Sequence, residues 1–122
     1  MAERIVPMIH VPDVRAAVAW YQSIGFAIRQ IAQEEGSDEI TWASLTFGES
    51  EIMMNSGGEP SDAPRRDVDL YIHVSDVDAL RGRLDGMAEM IEDLHATFYG
   101  MREFVIRDLN GFWITFGQPL RT

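Results

Sequence analysis

Two histidines occupy the same position of a repeated octapeptide, and they are the residues of this chain best suited to chemistry. Residues 9–16 read Ile-His-Val-Pro-Asp-Val-Arg-Ala and residues 72–79 read Ile-His-Val-Ser-Asp-Val-Asp-Ala, six identities in eight positions at an offset of 63. An imidazole changes charge near neutral pH, so His10 and His73 are the candidates for acid–base work without a metal, and for direct contact with a ligand. The plainer alternative is a pair of hydrogen-bonded histidines that close two strand ends. Two imidazoles with Asp69 or Glu103 also make a workable donor set for a divalent ion, at a spacing that matches no standard pattern. Trp42 and Trp113 offer indole faces on which a planar cation can stack, or they fill a core. Asp69 is either the counter-charge for such a cation or an exposed strand-end acid. Arg102 and Glu103 are expected to pair across the surface. There is no glycine-rich phosphate loop and no Gly-x-Ser-x-Gly nucleophile motif.

Composition narrows the choices further. A chain of 122 residues is about one domain, and its apolar fraction of 46% suits a globular core. It has no cysteine, which excludes a disulfide scaffold and a thiolate metal site and fits a reducing compartment. Twenty acidic residues stand against 10 basic ones, all arginine, for a net charge of −10. No basic stripe exists to displace counterions, so nucleic acid is excluded as a partner, and anionic membrane surfaces are disfavoured. The charge admits a cationic or neutral small ligand, and it serves solubility equally well. No run of about 18 apolar residues could span a bilayer. The N-terminal residues lack the basic start, apolar stretch and cleavage site of a signal peptide, so a cytoplasmic location is expected.

The elements that must hold these residues come as the same set twice. Residues 5–11 read as a strand ending at Pro12, and Asp13 caps a helix on which Val14, Val18 and Tyr21 recur at helical spacing. Gly25 stops that helix, and strands are expected over 26–31, 40–47 and 51–55 with polar turns between them. Residues 57–66 read as a linker between a first module, 1–56, and a second, 67–122. In the second module a strand over 68–74 leads to a helix capped by Ser75 or Asp76, with Leu80 and Leu84 on one face and Gly86 at its end. Strands follow over 90–93, 97–107 and 112–117. Asn110-Gly111 marks a hairpin in which both residues can take positive φ. The expected fold is α+β: two tandem βαβββ modules forming a curved mixed sheet around a cavity, helices on the outer face. Two modules, or two chains, can wrap concave faces around a shared cavity. The exposed edges of half-covered sheets favour a homodimer.

The run His-Val-Pro-Asp-Val-Arg-Ala-Ala-Val-Ala-Trp-Tyr-Gln-Ser-Ile-Gly-Phe from His10 to Phe26 resembles the opening strand, helix and second strand of the vicinal oxygen chelate superfamily. That superfamily includes glyoxalase I, extradiol dioxygenases, fosfomycin-resistance enzymes and bleomycin-resistance proteins. The run from Gly100 to Gly117 resembles its closing hairpin, with Leu109 and Asn110 where an Arg-Asp-Pro-Asp-Gly-Asn pattern has Pro and Asp. The resemblance covers nearly the whole chain and implies a fold more firmly than an activity, since one scaffold hosts many chemistries. Metal enzymes of the family place four ligands on the concave face. Carried onto this chain, the first-strand ligand (His or Gln) falls at Val6, and the fourth-strand Glu near Met53. The His of the second module's first strand falls at Asp69, and the last-strand Glu at Thr115. One carboxylate among four positions cannot hold a catalytic divalent metal. The resemblance therefore points to the metal-free, ligand-sequestering branch, with no cofactor and no metal.

Given that alignment, strand alternation assigns the cavity face. Met8 and His10 share it with Val6, Tyr71 and His73 share it with Asp69, Trp113 joins Thr115, and Trp42 joins Ser44, while Met53 either lines the wall or fills core. The candidate ligand-binding set is Met8, His10, Trp42, Met53, Asp69, Tyr71, His73, Trp113 and Thr115, an aromatic wall with a few polar groups. The function this implies is sequestration of an aromatic or cationic small molecule. The alternatives are a metal-dependent lyase, isomerase or dioxygenase with a shifted metal site, and a partner module whose cavity is vestigial.

Overall fold

In the computed structural model, which describes residues 1–120, the chain forms two compact units, Met1–Pro60 and Ser61–Thr122. The first contains β1 (Met8–His10), α1 (Val14–Ser23), β2 (Ala27–Gln33), β3 (Ile40–Phe47) and β4 (Ser50–Asn55). Its sheet runs β1-β4-β3-β2, with β1 parallel to β4 and the other pairs antiparallel. The second contains β5 (Leu70–His73), α2 (Val77–Arg83), β6 (Glu89–Ala96), β7 (Met101–Arg107) and β8 (Trp113–Pro119). Its sheet runs β5-β8-β7-β6, again with one parallel pair, β5 with β8. The fold is α+β, built of tandem βαβββ modules. Among the described residues no helix is long and apolar enough to cross a membrane.

Each module turns from strand to helix through an aspartate cap. The Asp13 carboxylate accepts from the Ala16 N–H at 3.0 Å, and that of Asp76 from the Ala79 N–H at 3.0 Å, so each satisfies a donor that the first turn leaves free. Helix α1 buries Val14, Ala17, Val18 and Tyr21 against β2 and β3. The Tyr21 ring then meets Phe26, and Phe26 meets Phe47, at centroid distances of 5.1 and 4.8 Å. Gly25, at φ +116°, makes the turn out of the helix that an L side chain resists. Helix α2 buries Val77 and Leu80 and packs on β7 and β8. On that sheet Phe104 and Phe116 stack at 5.0 Å.

Strand ends differ from the sequence expectation for local reasons. Strand β1 starts at Met8, because Pro7 has no N–H for the ladder, although its carbonyl still accepts from Met53 N at 2.8 Å. Strand β6 is longer than residues 90–93 and carries two register shifts, one on either side of Glu92. Strand β7 begins at Met101 rather than 97: the Thr97 hydroxyl exchanges hydrogen bonds with the Met101 backbone and closes a turn through Gly100. The β7–β8 hairpin is present, but Asn110 does not take positive φ; only Gly111 does. The Asp108 carboxylate accepts from the N–H groups of Asn110 (2.8 Å) and Phe112 (2.9 Å), which sets a longer turn than a two-residue one.

Candidate functional site

In the first unit, pairing places Met8 beside Met53 and Met53 beside Ser44, and likewise His10 beside Asn55 and Asn55 beside Trp42. The strand alternation holds, since Ile9, Ala43, Leu45 and Met54 are buried toward α1 while Met8 and His10 are exposed. Trp42 and Met53 are half-buried on the face away from the helix. Ser44 does not line an open wall. It is fully buried, and its hydroxyl donates to one Glu51 oxygen, which also lies 3.7 Å from Arg29, while the other Glu51 oxygen accepts from Arg4 at 2.6 Å. The Ser44 hydrogen bond, then Arg4 and Arg29, hold the Glu51 carboxyl below the usual carboxylate range against the opposing effect of burial.

In the second unit, Tyr71 pairs with Thr115 and His73 with Gly117 across the parallel β5–β8 ladder. The Tyr71 and His73 rings lie 5.0 Å apart, tilted by 53°. Asp69 is not a free acid: Arg65 Nε donates to it at 3.2 Å, and a second guanidinium N–H binds its other oxygen. The same guanidinium lies 4.3 Å from the centre of the Trp113 ring, so the planar cation expected over that indole comes from the chain itself. Trp113 Nε1 donates to the Pro64 carbonyl at 3.1 Å, which ties residues 64–65 over the start of β8.

The expected Arg102–Glu103 surface pair does not form. Neighbours on a strand point to opposite faces, so Arg102 reaches Asp78 at 2.8 Å and Glu103 turns inward, 3% exposed. Its carboxylate accepts from the Tyr71 hydroxyl at 2.6 Å and from the Tyr99 hydroxyl at 2.7 and 2.8 Å. Burial and the Glu103 contact push the Tyr71 phenol well above its ordinary value, and the Glu103 contact, then burial, raises Tyr99 as well. Glu51 and Tyr99 escaped sequence reasoning, which offered Glu103 only as a metal donor beside the histidines or as the surface partner of Arg102. The available signal was parity: Glu103 shares the face of Val105 and sits one residue before a buried Phe-Val-Ile run.

The family's metal positions carry Val6 and Met53 on the first unit and Asp69 and Thr115 on the second. An aliphatic group, a thioether, a hydroxyl and an arginine-bound carboxylate do not fit a divalent metal. Among the described residues no group of three His, Asp or Glu side chains is placed to hold one. A separate cleft of about 330 Å³ lies where α2 meets the end of β8, bounded by Asp76, Asp78, Arg102 and Gln118. Arg102 pairs with Asp78 there, Gln118 accepts from the Val77 N–H and Asp76 from the Ala79 N–H, and the cleft contains none of the expected site residues.

Three solved structures illustrate the likeness. TioX from Micromonospora sp. ML1 is 25% identical, with a TM-score of 0.73 over 98% of each chain. A glyoxalase-related enzyme from Clostridium phytofermentans superposes with a TM-score of 0.76 at 15% identity, over 98% of this chain and 97% of that one. A protein of unknown function from Agrobacterium tumefaciens str. C58 gives 0.72 at 23% identity, over 98% and 97%. No curated protein matches the chain. The family model described as Glyoxalase/Bleomycin resistance protein/Dioxygenase superfamily matches residues 4–116, and the chain belongs to that superfamily.

Proposed function

We propose that this superfamily member is a metal-free small-molecule-binding protein, a homodimer in the cytoplasm that sequesters an aromatic or cationic ligand. The observation that carries the reading is the donor set at the family's metal positions: Val6, Met53 and Thr115 are poor ligands, and Asp69 is held by Arg65. The sheet faces away from the helices instead present Met8, His10, Trp42 and Met53 in one unit and Tyr71, His73, Trp113 and Thr115 in the other. Such faces suit a ligand with an apolar body and a few polar groups. The acidic surplus favours a cation. At Trp113 a cationic aromatic ligand competes with Arg65 for the indole.

The test combines elemental analysis of protein grown with supplemented metals and equilibrium dialysis with tryptophan quenching against neutral and cationic aromatics. The expected result is substoichiometric metal and saturable quenching, with every ligand recovered unchanged. A stoichiometric divalent metal lost in His10→Ala, together with metal-dependent turnover, makes the protein an enzyme with a shifted metal site. Absence of binding and of any ligand-induced rise in Tm across the panel points to a vestigial site. Light scattering at one chain per particle removes the homodimer from the proposal.

A further inference from the structure

We propose that Glu103, framed by Tyr71 and Tyr99, is the recognition site for an organic ammonium group, so that the ligand is an amine with an aromatic or apolar body. This rests on the small-molecule reading above and assigns its charged subsite to a residue outside the metal positions and outside the expected aromatic wall. A carboxylate withdrawn from water is normally matched by a cation, and the first unit does this for Glu51 with Arg4 and Arg29. Glu103 makes no ion pair among the described residues. Arg102 is turned to Asp78. His95, the register partner of Glu103, has its ring nitrogens against the Asp93 carbonyl at 2.8 Å and Glu92 at 3.5 Å.

Two phenols satisfy Glu103 in place of a cation, and because the carboxylate is itself only 3% exposed, an ammonium reaches it where one of these phenols turns aside. Tyr71 is 42% exposed and Tyr99 55% exposed, so their rings stand at the surface with the carboxylate beneath. Tyr71 reaches Glu103 by crossing Gly117, where an added Cβ would come within 2.2 Å of the Tyr71 oxygen. A carboxylate offers about four acceptor directions; three phenol contacts leave room for an N⁺–H donor. Aromatic faces above a negative charge combine the two attractions that an alkylammonium seeks, a charge-assisted hydrogen bond and a cation–π contact. Both phenols hold their protons more tightly than usual, so they stay neutral donors toward Glu103. Phe98, fully exposed with its ring 5.1 Å from Tyr99, offers an apolar surface for the body of the ligand.

The probes are phenethylammonium, phenethyl alcohol and phenylacetate, titrated into the intact protein and followed by two-dimensional amide NMR. Shifts are expected around Tyr71, His73, Tyr99 and Glu103, with phenethylammonium bound on the order of tenfold more tightly than the alcohol. Glu103→Gln keeps the shape and an acceptor for the phenols; it is expected to bring that ratio below about twofold while the alcohol binds as before. If Glu103→Gln does not fold, Tyr99→Phe serves: it frees acceptor capacity on the carboxylate and should hold or raise the ammonium preference, and a fall overturns the proposal. Equal binding of ammonium and alcohol at this face also overturns it and leaves the small-molecule reading standing. Binding of none of the three overturns it too, and the broader reading then stands or falls on its own panel.

Discussion

Glu51 and Glu103 are both carboxylates buried on strands, yet one is matched by arginines and the other by tyrosines. The consequence for Glu51 is a pH dependence. Its folded pKa lies below the unfolded value of 4.5, so its contribution to stability is complete above that value and is lost as pH falls through the lower folded one. Urea denaturation should show Glu51→Gln losing less stability than the wild type as pH falls from neutral to well below 4.5. Asp78 and Asp93, lowered by Arg102 and Arg81, keep some of the slope in both proteins. Equal losses would refute the assignment. For Glu103 the sensitive neighbour is Gly117. Gly117→Ala should swing Tyr71 outward, break its hydrogen bond to Glu103 and cost about 1–2 kcal/mol. An ultraviolet titration reads this independently: one phenol should return toward 10 in the variant, and an unchanged curve would show that Tyr71 stayed in place.

At the scale of elements, what could be read in the sequence was whatever depends on a few adjacent residues. The caps at Asp13 and Asp76, the span of β3 and the alternation Leu70-Tyr71-Ile72-His73 all follow from local pattern. The bulges of β6 and the inward turn of Glu103 do not, because they depend on partners brought in by pairing: Tyr71 lies 32 residues from Glu103 in sequence. Arg65 over Trp113 is invisible for the same reason, since 48 positions separate a surface charge from the ring it covers. Residues 57–66, expected to link the modules, also carry packing that their Gly/Pro composition does not announce. Gly58 donates to the Val11 carbonyl at 3.2 Å, and an added Cβ would sit 2.3 Å from the His10 carbonyl oxygen. That neighbour is backbone and cannot step aside. Gly58→Ala is therefore expected to cost about 1–3 kcal/mol and to shift the amide signals of His10 and Val11. A loss under about 0.5 kcal/mol would mean that the segment relaxes freely.

For the molecule as a whole, the deciding quantity is the excess of ten negative charges. Arginines 4, 29, 65, 81, 102 and 107 are already in ion pairs with acids, and Arg15 and Arg66 are spent on backbone carbonyls. The pairs are mostly at the surface, where each is worth at most about 1 kcal/mol and is weakened by salt. Salt also screens repulsion among the unpaired acids, which act together over distances a pair does not reach. Between about 0.01 M and 0.1 M salt the screening length contracts from about 30 to about 10 Å, so long-range repulsion is lost while contacts near 3 Å largely survive. Stability at neutral pH should therefore rise with salt, by a few degrees in Tm for a domain of this size. Calorimetry in sodium chloride at constant pH measures it, and a falling Tm would mean that the ion pairs outweigh the repulsion. The same field predicts the opposite for a cationic ligand. Its association rate should fall over that range while that of a neutral aromatic stays level, because only the charged one is drawn in by the surplus acid.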